Sequence, residues 1–234
     1  MKTIGLLGGM SWESTVPYYR IVNQVVNERL GGLHSARVVL YSVDFHDIEL
    51  MQRNADWNGA GRQLATAARS LEGAGAELLV LCTNTMHKVA DVIEAAVTIP
   101  LLHIADPTAD AVKAAGCSTV GLLGTRFTME QGFYKQRLVD RHRLQVLVPD
   151  EPDRAIVHRV IYEELCLGRI DAASRAEFRR IIAALVERGA TAVILGCTEI
   201  SLLVGEQDSP VPVFDTTALH ARSAAERALG SRVG

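Results

Sequence analysis

VLCTNTMH, Val80 to His87, is the stretch on which the reading of this chain turns. The apolar run Leu78 to Leu81 breaks there into small polar residues. A strand buried on both faces reads this way, and open parallel α/β sheets carry their chemistry just past the C-terminal strand ends. A second copy, GATAVILGCTE, runs from Gly189 to Glu199. Aligning Gly75-Ala76 with Gly189-Ala190 sets an offset of 114 residues, which puts Cys82 on Gly196 and Thr83 on Cys197. Successive strand side chains point to opposite faces. Cys82 and Thr83 therefore do not share a site, and the counterpart of the thiol at 197 is a hydroxyl.

The flanking sequence repeats too. TIGLLGG (Thr3 to Gly9) returns as TVGLLGT (Thr119 to Thr125) at an offset of 116, and IPLLHI (Ile99 to Ile104) returns as VPVFDT (Val211 to Thr216) at 112. Three landmarks in one order at nearly constant offsets mark a duplicated α/β unit. Two copies are too few for a solenoid, so the expected fold is two pseudo-symmetric α/β lobes with parallel sheets and right-handed crossovers. Residues 1–104 with 209–234 are assigned to the first lobe and 105–208 to the second, with linkers near His103–Asp106 and Gly205–Pro210. The two sets of strand ends are expected to face each other across a cleft, with Thr83 and Cys197 on opposite sides.

Between the landmarks, a helix is expected from Ser11 or Ser14 to about Leu30, closed by Gly31-Gly32. Ala36 to Phe45 reads as a strand, and His46 to Trp57 as a loop holding a short helix. Further helices are expected over Gly61 to Leu71, from about Met86, and over Thr217 to Leu229, the last returning to the first lobe.

Composition narrows the classes. The chain has 234 residues, 48% of them hydrophobic and only 5% aromatic, which suits an aliphatic core of helices on sheets. A net charge of −3 offers no basic surplus for nucleic acid. Four cysteines, Cys82, Cys117, Cys166 and Cys197, have no metal-ligand spacing, so free thiols in a reducing cytoplasm are expected and no metal site is read. The first residues are too short and glycine-rich for a signal peptide, and no stretch reaches the length of a membrane span.

GLLGGMSWEST, CTNTMH, GTRFTM and LGCTE together resemble the aspartate/glutamate racemase family, in its aspartate racemase-like branch, over essentially the whole chain. The resemblance implies two pseudo-symmetric lobes, a homodimer, no cofactor, and inversion at an amino-acid α-carbon. One thiolate removes the α-proton and a group on the other face returns one. Carried onto this sequence, Cys197 matches the family's second catalytic cysteine, while Thr83 stands in place of the first. A thiol ionises near 8.5. A threonine hydroxyl is a far weaker acid that can donate or relay a proton but is a poor base. A lysine that many relatives carry after the tyrosine helix is replaced here by Cys166. Aspartate and/or glutamate is the expected substrate, with turnover beginning from the L form.

The remaining candidates each have a plain alternative. Asn84 and Thr85 either cap a helix or, with neighbouring N–H groups, bind the substrate α-carboxylate. Thr198 and Glu199 hold the equivalent place in the second copy, where Glu199 either orients the substrate ammonium or a neighbouring group, or has a plain surface or capping role. Gly8 and Gly9 form a turn that is not the dinucleotide fingerprint and brings Met10 and Ser11 to the substrate. Thr125 and Thr128 offer hydroxyls or cap a helix. Gln52 and Arg53 lie in the expected loop, with Arg53 as a fork for a side-chain carboxylate. His87 either orders the site or is a satisfied structural histidine. Cys82, Cys117, Trp12 and Trp57 are read as packing residues. The rival functions are a hydantoin racemase, a maleate isomerase, a malonate-type decarboxylase, or a catalytically silent amino-acid-binding protein.

Overall fold

The computed structural model describes residues 1–230. The chain divides into two compact units, the first comprising Met1–Ile104 and the chain from His220 onward, the second Ala105–Leu219. The first unit opens with β1 (Ile4–Gly8), α1 (Trp12–Leu30), β2 (Val38–Ser42), α2 (Phe45–Arg53), α3 (Trp57–Gly73) and β3 (Leu78–Leu81). A 3-10 turn over Thr85–Val89 leads into α4 (Ala90–Glu94), and β4 (Leu101–Leu102) closes the run. The second unit follows with α5 (Ala105–Ala114), β5 (Thr119–Gly124), α6 (Arg126–Glu130), α7 (Gly132–Gln136) and β6 (Gln145–Leu147). It continues with α8 (Asp153–Glu163), α9 (Ala172–Glu187), β7 (Ala192–Gly196) and β8 (Val213–Asp215), after which α10 (Thr216–Leu229) begins.

The two sheets have the same plan. Their strand orders are β2-β1-β3-β4 and β6-β5-β7-β8, and every pairing is parallel. Alternation along the central strands sorts side chains to two faces. Leu78, Val80 and Cys82 pack with Tyr18, Val22 and the α10 alanines Ala221, Ala224, Ala225 and Ala228. Leu79 and Leu81 join Leu64, Ala68 and Leu71 of α3 on the other face. In the second unit Val193, Leu195 and Cys197 pack with Val157, Ile161, Phe178 and Ile182 of α8 and α9. Cys197 thus continues the face that matches Leu79 and Leu81, which is the register the repeat predicts for position 83.

Several boundaries differ from expectation for local reasons. The segment after β2 is a nine-residue helix, because Asp44 accepts the His46 N–H at 3.0 Å and caps it. Asp56 caps α3 through the Gly59 N–H at 2.8 Å, starting that helix four residues before Gly61. The helix expected from Met86 is a 3-10 turn followed by one α-helical turn and a half. The largest correction is the second linker. Residues 209–219 belong to the second unit, because β8 pairs with β7 through Val193–Val213, Ile194–Phe214 and Leu195–Asp215. The division falls inside α10, at Leu219 and His220, and the rest of α10 completes the core of the first unit.

Asp106, in the first turn of α5, binds Arg137 Nε and Nη2, each at 2.7 Å, and His142 Nε2 at 3.1 Å. Burial alone raises its pKa, but the hydrogen bonds and charges of Arg137 and His142 outweigh burial and hold it below the ordinary 3.8. A depressed carboxyl contributes stability above its unfolded value and loses it as pH falls through the folded one. Asp106→Asn should cost about 1–2 kcal/mol at pH 7. In thermal melts followed by circular dichroism, the deficit against wild type should shrink once the pH falls below the ordinary carboxyl range.

Candidate active site

The residues singled out in sequence collect at the C-terminal strand ends of each sheet. In the first unit the turn after β1 holds Met10 and Ser11, and the segment after β3 holds Thr83, Asn84 and Thr85. All five are buried. Gly9 makes the first turn possible with φ +92, since a side chain there would run into the Val43 backbone. Its N–H donates to Thr15 Oγ1 at 2.9 Å, and Ser14 and Thr15 each donate to the Ser11 carbonyl at 2.9 Å. Ser11 occupies the N-cap position of α1 without a side-chain capping bond. Gln52, at the end of α2, is buried with Nε2 at 3.0 Å from Met86 Sδ.

Thr83 is fixed from behind by a histidine. The His87 Nδ1–H donates to the Thr83 carbonyl at 2.7 Å, and His87 Nε2 accepts the Ile104 N–H at 3.2 Å. One nitrogen donates and the other accepts, which assigns the neutral ring and its tautomer. Its ring centroid lies 4.3 Å from that of His103 and 6.0 Å from that of His220. His220 Nε2–H donates to the Leu102 carbonyl at 2.8 Å, leaving Nδ1 to accept the Tyr18 hydroxyl at 2.9 Å. The three buried imidazoles thus tie the Thr83 turn to the end of β4. The sequence signal for this was the i, i+4 spacing of Thr83 and His87; His103, His220 and Tyr18 carried none.

In the second unit Thr125 and Thr128 follow β5, and Cys197, Thr198 and Glu199 follow β7, all buried. Thr125 caps α6, accepting the Thr128 N–H at 3.3 Å, and the two hydroxyls lie 3.2 Å apart. Gly196 lets β7 lie close to β5, since a Cβ there would sit 3.0 Å from the Leu123 carbonyl oxygen. Cys197 Sγ donates to Glu199 Oε2 at 3.0 Å, and Thr198 Oγ1 donates to the same oxygen at 2.7 Å. Burial first, and then the Glu199 charge, push the Cys197 thiol well above its ordinary value. Cys166 also bonds Glu199, and burial followed by that charge raises its thiol as well.

A family model described as Asp/Glu/Hydantoin racemase matches residues 7–224. The chain belongs to this family. It is accordingly an enzyme of the isomerase class. A crystal structure of a Yersinia pestis protein, provisionally described as an Asp/Glu racemase, is similar with a TM-score of 0.91 and 60% identity, covering 98% of this chain and 100% of that one. An aspartate racemase homologue from Pyrococcus horikoshii gives a TM-score of 0.84 at 35% identity, over 98% and 100% of the two chains. The broad specificity amino-acid racemase RacX of Bacillus subtilis is 23% identical over 227 residues, covering 94% of this chain and 95% of its own length.

Two of the expected packing residues, Trp12 and Cys117, need correction. Arg53 is turned to solvent, its side chain 68% exposed and held by Glu49 at 2.6 Å and 3.1 Å. Trp12 is 61% exposed and is not a core residue. Cys117 is only partly buried, donating to the Ala115 and Thr191 carbonyls at 3.8 Å and 3.6 Å. Cys82 is a core thiol, fully buried among Tyr18, Val22 and Ala221, with burial raising its pKa. The neighbouring group that Glu199 meets is the Cys197 thiol, which the sequence reading had not named.

His87→Ala should destabilise the protein by about 2–4 kcal/mol, because it leaves the Thr83 carbonyl and the Ile104 N–H without their ring partner in a buried place. Urea denaturation at neutral pH measures this. His87→Gln, which retains a donor and an acceptor, should recover part of the loss.

Proposed function

We propose that this protein racemises aspartate and/or glutamate without pyridoxal phosphate, with Cys197 and Thr83 serving opposite faces of the α-carbon. The observation that carries the proposal is the register of the repeat. The buried thiol at the end of β7 and the hydroxyl past the end of β3 hold equivalent places in two copies of one sheet. Cys197 takes the α-proton of the L-enantiomer. Asn84, Thr85, Thr125, Thr128 and Thr198, with the backbone N–H groups beside them, donate to the substrate carboxylate as charge develops on it. Fixed donors of this kind commonly supply the largest share of stabilisation. Gln52, with Met10 and Ser11, completes the substrate contacts of the first unit.

Thr83 donates a proton to the other face, and the proton it gives is replaced from water. The hydroxyl is too weak an acid to be ionised at rest, so the return direction is slow. A cytoplasmic location is supported by the four free thiols. No helix among the described residues is long and apolar enough to cross a membrane. Self-association as a homodimer is supported by the exposed apolar stripe Trp12, Val16 and Tyr19 on α1, and sedimentation of wild type against Tyr19→Glu tests it.

Proton exchange in deuterated water tests the chemistry. L-Aspartate or L-glutamate should acquire α-deuterium and invert, while the D forms exchange far more slowly. Cys197→Ala should abolish both exchange and inversion, a loss of at least about 10³-fold. Thr83→Ala should lose inversion yet retain exchange from the L form, since the thiol face is intact. Equal exchange from both enantiomers would overturn the unlike-face scheme. Turnover of a hydantoin, maleate or a malonate-type acid, with none of the two amino acids, would replace the substrate.

A further inference from the structure

Resting on the reading of Cys197 as the base, we propose that Glu199 is its positioning residue and accepts the thiol proton, so that the nucleophilic sulfur is made by proton transfer within the site. Reactive cysteines ordinarily sit beside positive charge. Here the group in contact with the sulfur is a buried carboxylate, with Oε2 at 3.0 Å from Cys197 Sγ. That oxygen also accepts the Thr198 hydroxyl at 2.7 Å. Cys166, which stands where many relatives carry a lysine, approaches the same carboxylate as a neutral donor. The surroundings of Cys197 thus supply a proton acceptor where a cation was expected.

The step is balanced. The S–H bond breaks, its proton passes to Glu199 Oε2, and the bonding electron pair stays on sulfur. One thiol and one carboxylate become one thiolate and one carboxylic acid. The negative charge moves across a single hydrogen bond, and no additional charge has to be buried, which is what would make ionising this thiol alone so costly. Thr198 keeps the carboxylate on the Cys197 side.

The test uses the intact protein with no substrate present. Alkylation of Cys197 by iodoacetamide is followed against pH, site by site, by mass spectrometry of peptides. Glu199→Gln removes the negative charge, so its alkylation profile should move to lower pH by at least about one unit. In the same variant kcat should fall by about 10²–10⁴-fold with KM little changed. A thiol that becomes more acidic in an enzyme that becomes slower is an outcome that a purely structural role would not give. Glu199→Asp keeps the charge and shortens its reach. It should hold the alkylation profile near wild type while losing about tenfold in kcat, and it serves if the glutamine variant does not fold. An unchanged profile in Glu199→Gln, a retained kcat, or a rise in KM alone, as an ammonium anchor would give, overturns the proposal. Because alkylation requires no substrate, a shifted profile in a protein that racemises neither amino acid would sustain the Glu199–Cys197 coupling while the functional reading fell.

Discussion

A residue at the end of a buried strand can face only one of two ways, and the remainder of this structure follows from that constraint. Val80 and Cys82 face α1 and α10, whereas Leu79 and Leu81 face α3. In the second sheet Val193, Leu195 and Cys197 share one face with α8 and α9. Moving either strand by one residue would turn its polar terminus into the core and its core residues outward. The choice of threonine at 83 and cysteine at 197 is thus a choice made at equivalent places. Cys82, despite its position in the segment that resembles the family motif, is excluded from that choice by parity.

The second constraint is that polar groups at these strand ends are buried and must be satisfied internally. In the first unit the solution is a histidine whose tautomer is dictated by a carbonyl on one side and an N–H on the other. In the second it is a carboxylate that gathers hydroxyl and thiol donors. The copies have kept the scaffold and diverged in the layer behind positions 83 and 197. An imidazole holds the Thr83 carbonyl, and a carboxylate accepts from the Cys197 thiol.

How much was legible in sequence depended on how local the cause was. The duplication, the parallel sheets it implies and the family could be read because they rest on apolar runs, their spacing and the motifs at the strand ends. The extents of α2 and α3 were misjudged because Asp44 and Asp56 set them through single capping bonds in segments of weak periodicity. The second crossover was set too early because Gly205 to Pro210 looks like a linker, although the strand that completes the second sheet lies beyond it. The partnership of Glu199 with Cys197 and Cys166 joins positions 33 residues apart through side-chain geometry, which residue spacing does not encode.

The position of α10 has a consequence for how the molecule is made. Its alanines Ala221, Ala224, Ala225 and Ala228 fill the face of the first sheet opposite α3, beside Tyr18 and Cys82, and His220 reaches both Tyr18 and the end of β4. The first unit is therefore begun at the amino terminus and finished by the final helix, with a whole second unit translated in between. The four strands of the first sheet are all made by Leu102, before β5 begins, but the face that α10 covers is still bare at that point. That face stays open until residues 221–228 have been made. Nascent-chain vulnerability is thereby concentrated in the half that carries Thr83, and loss of the last turns would strike that half from more than a hundred residues away.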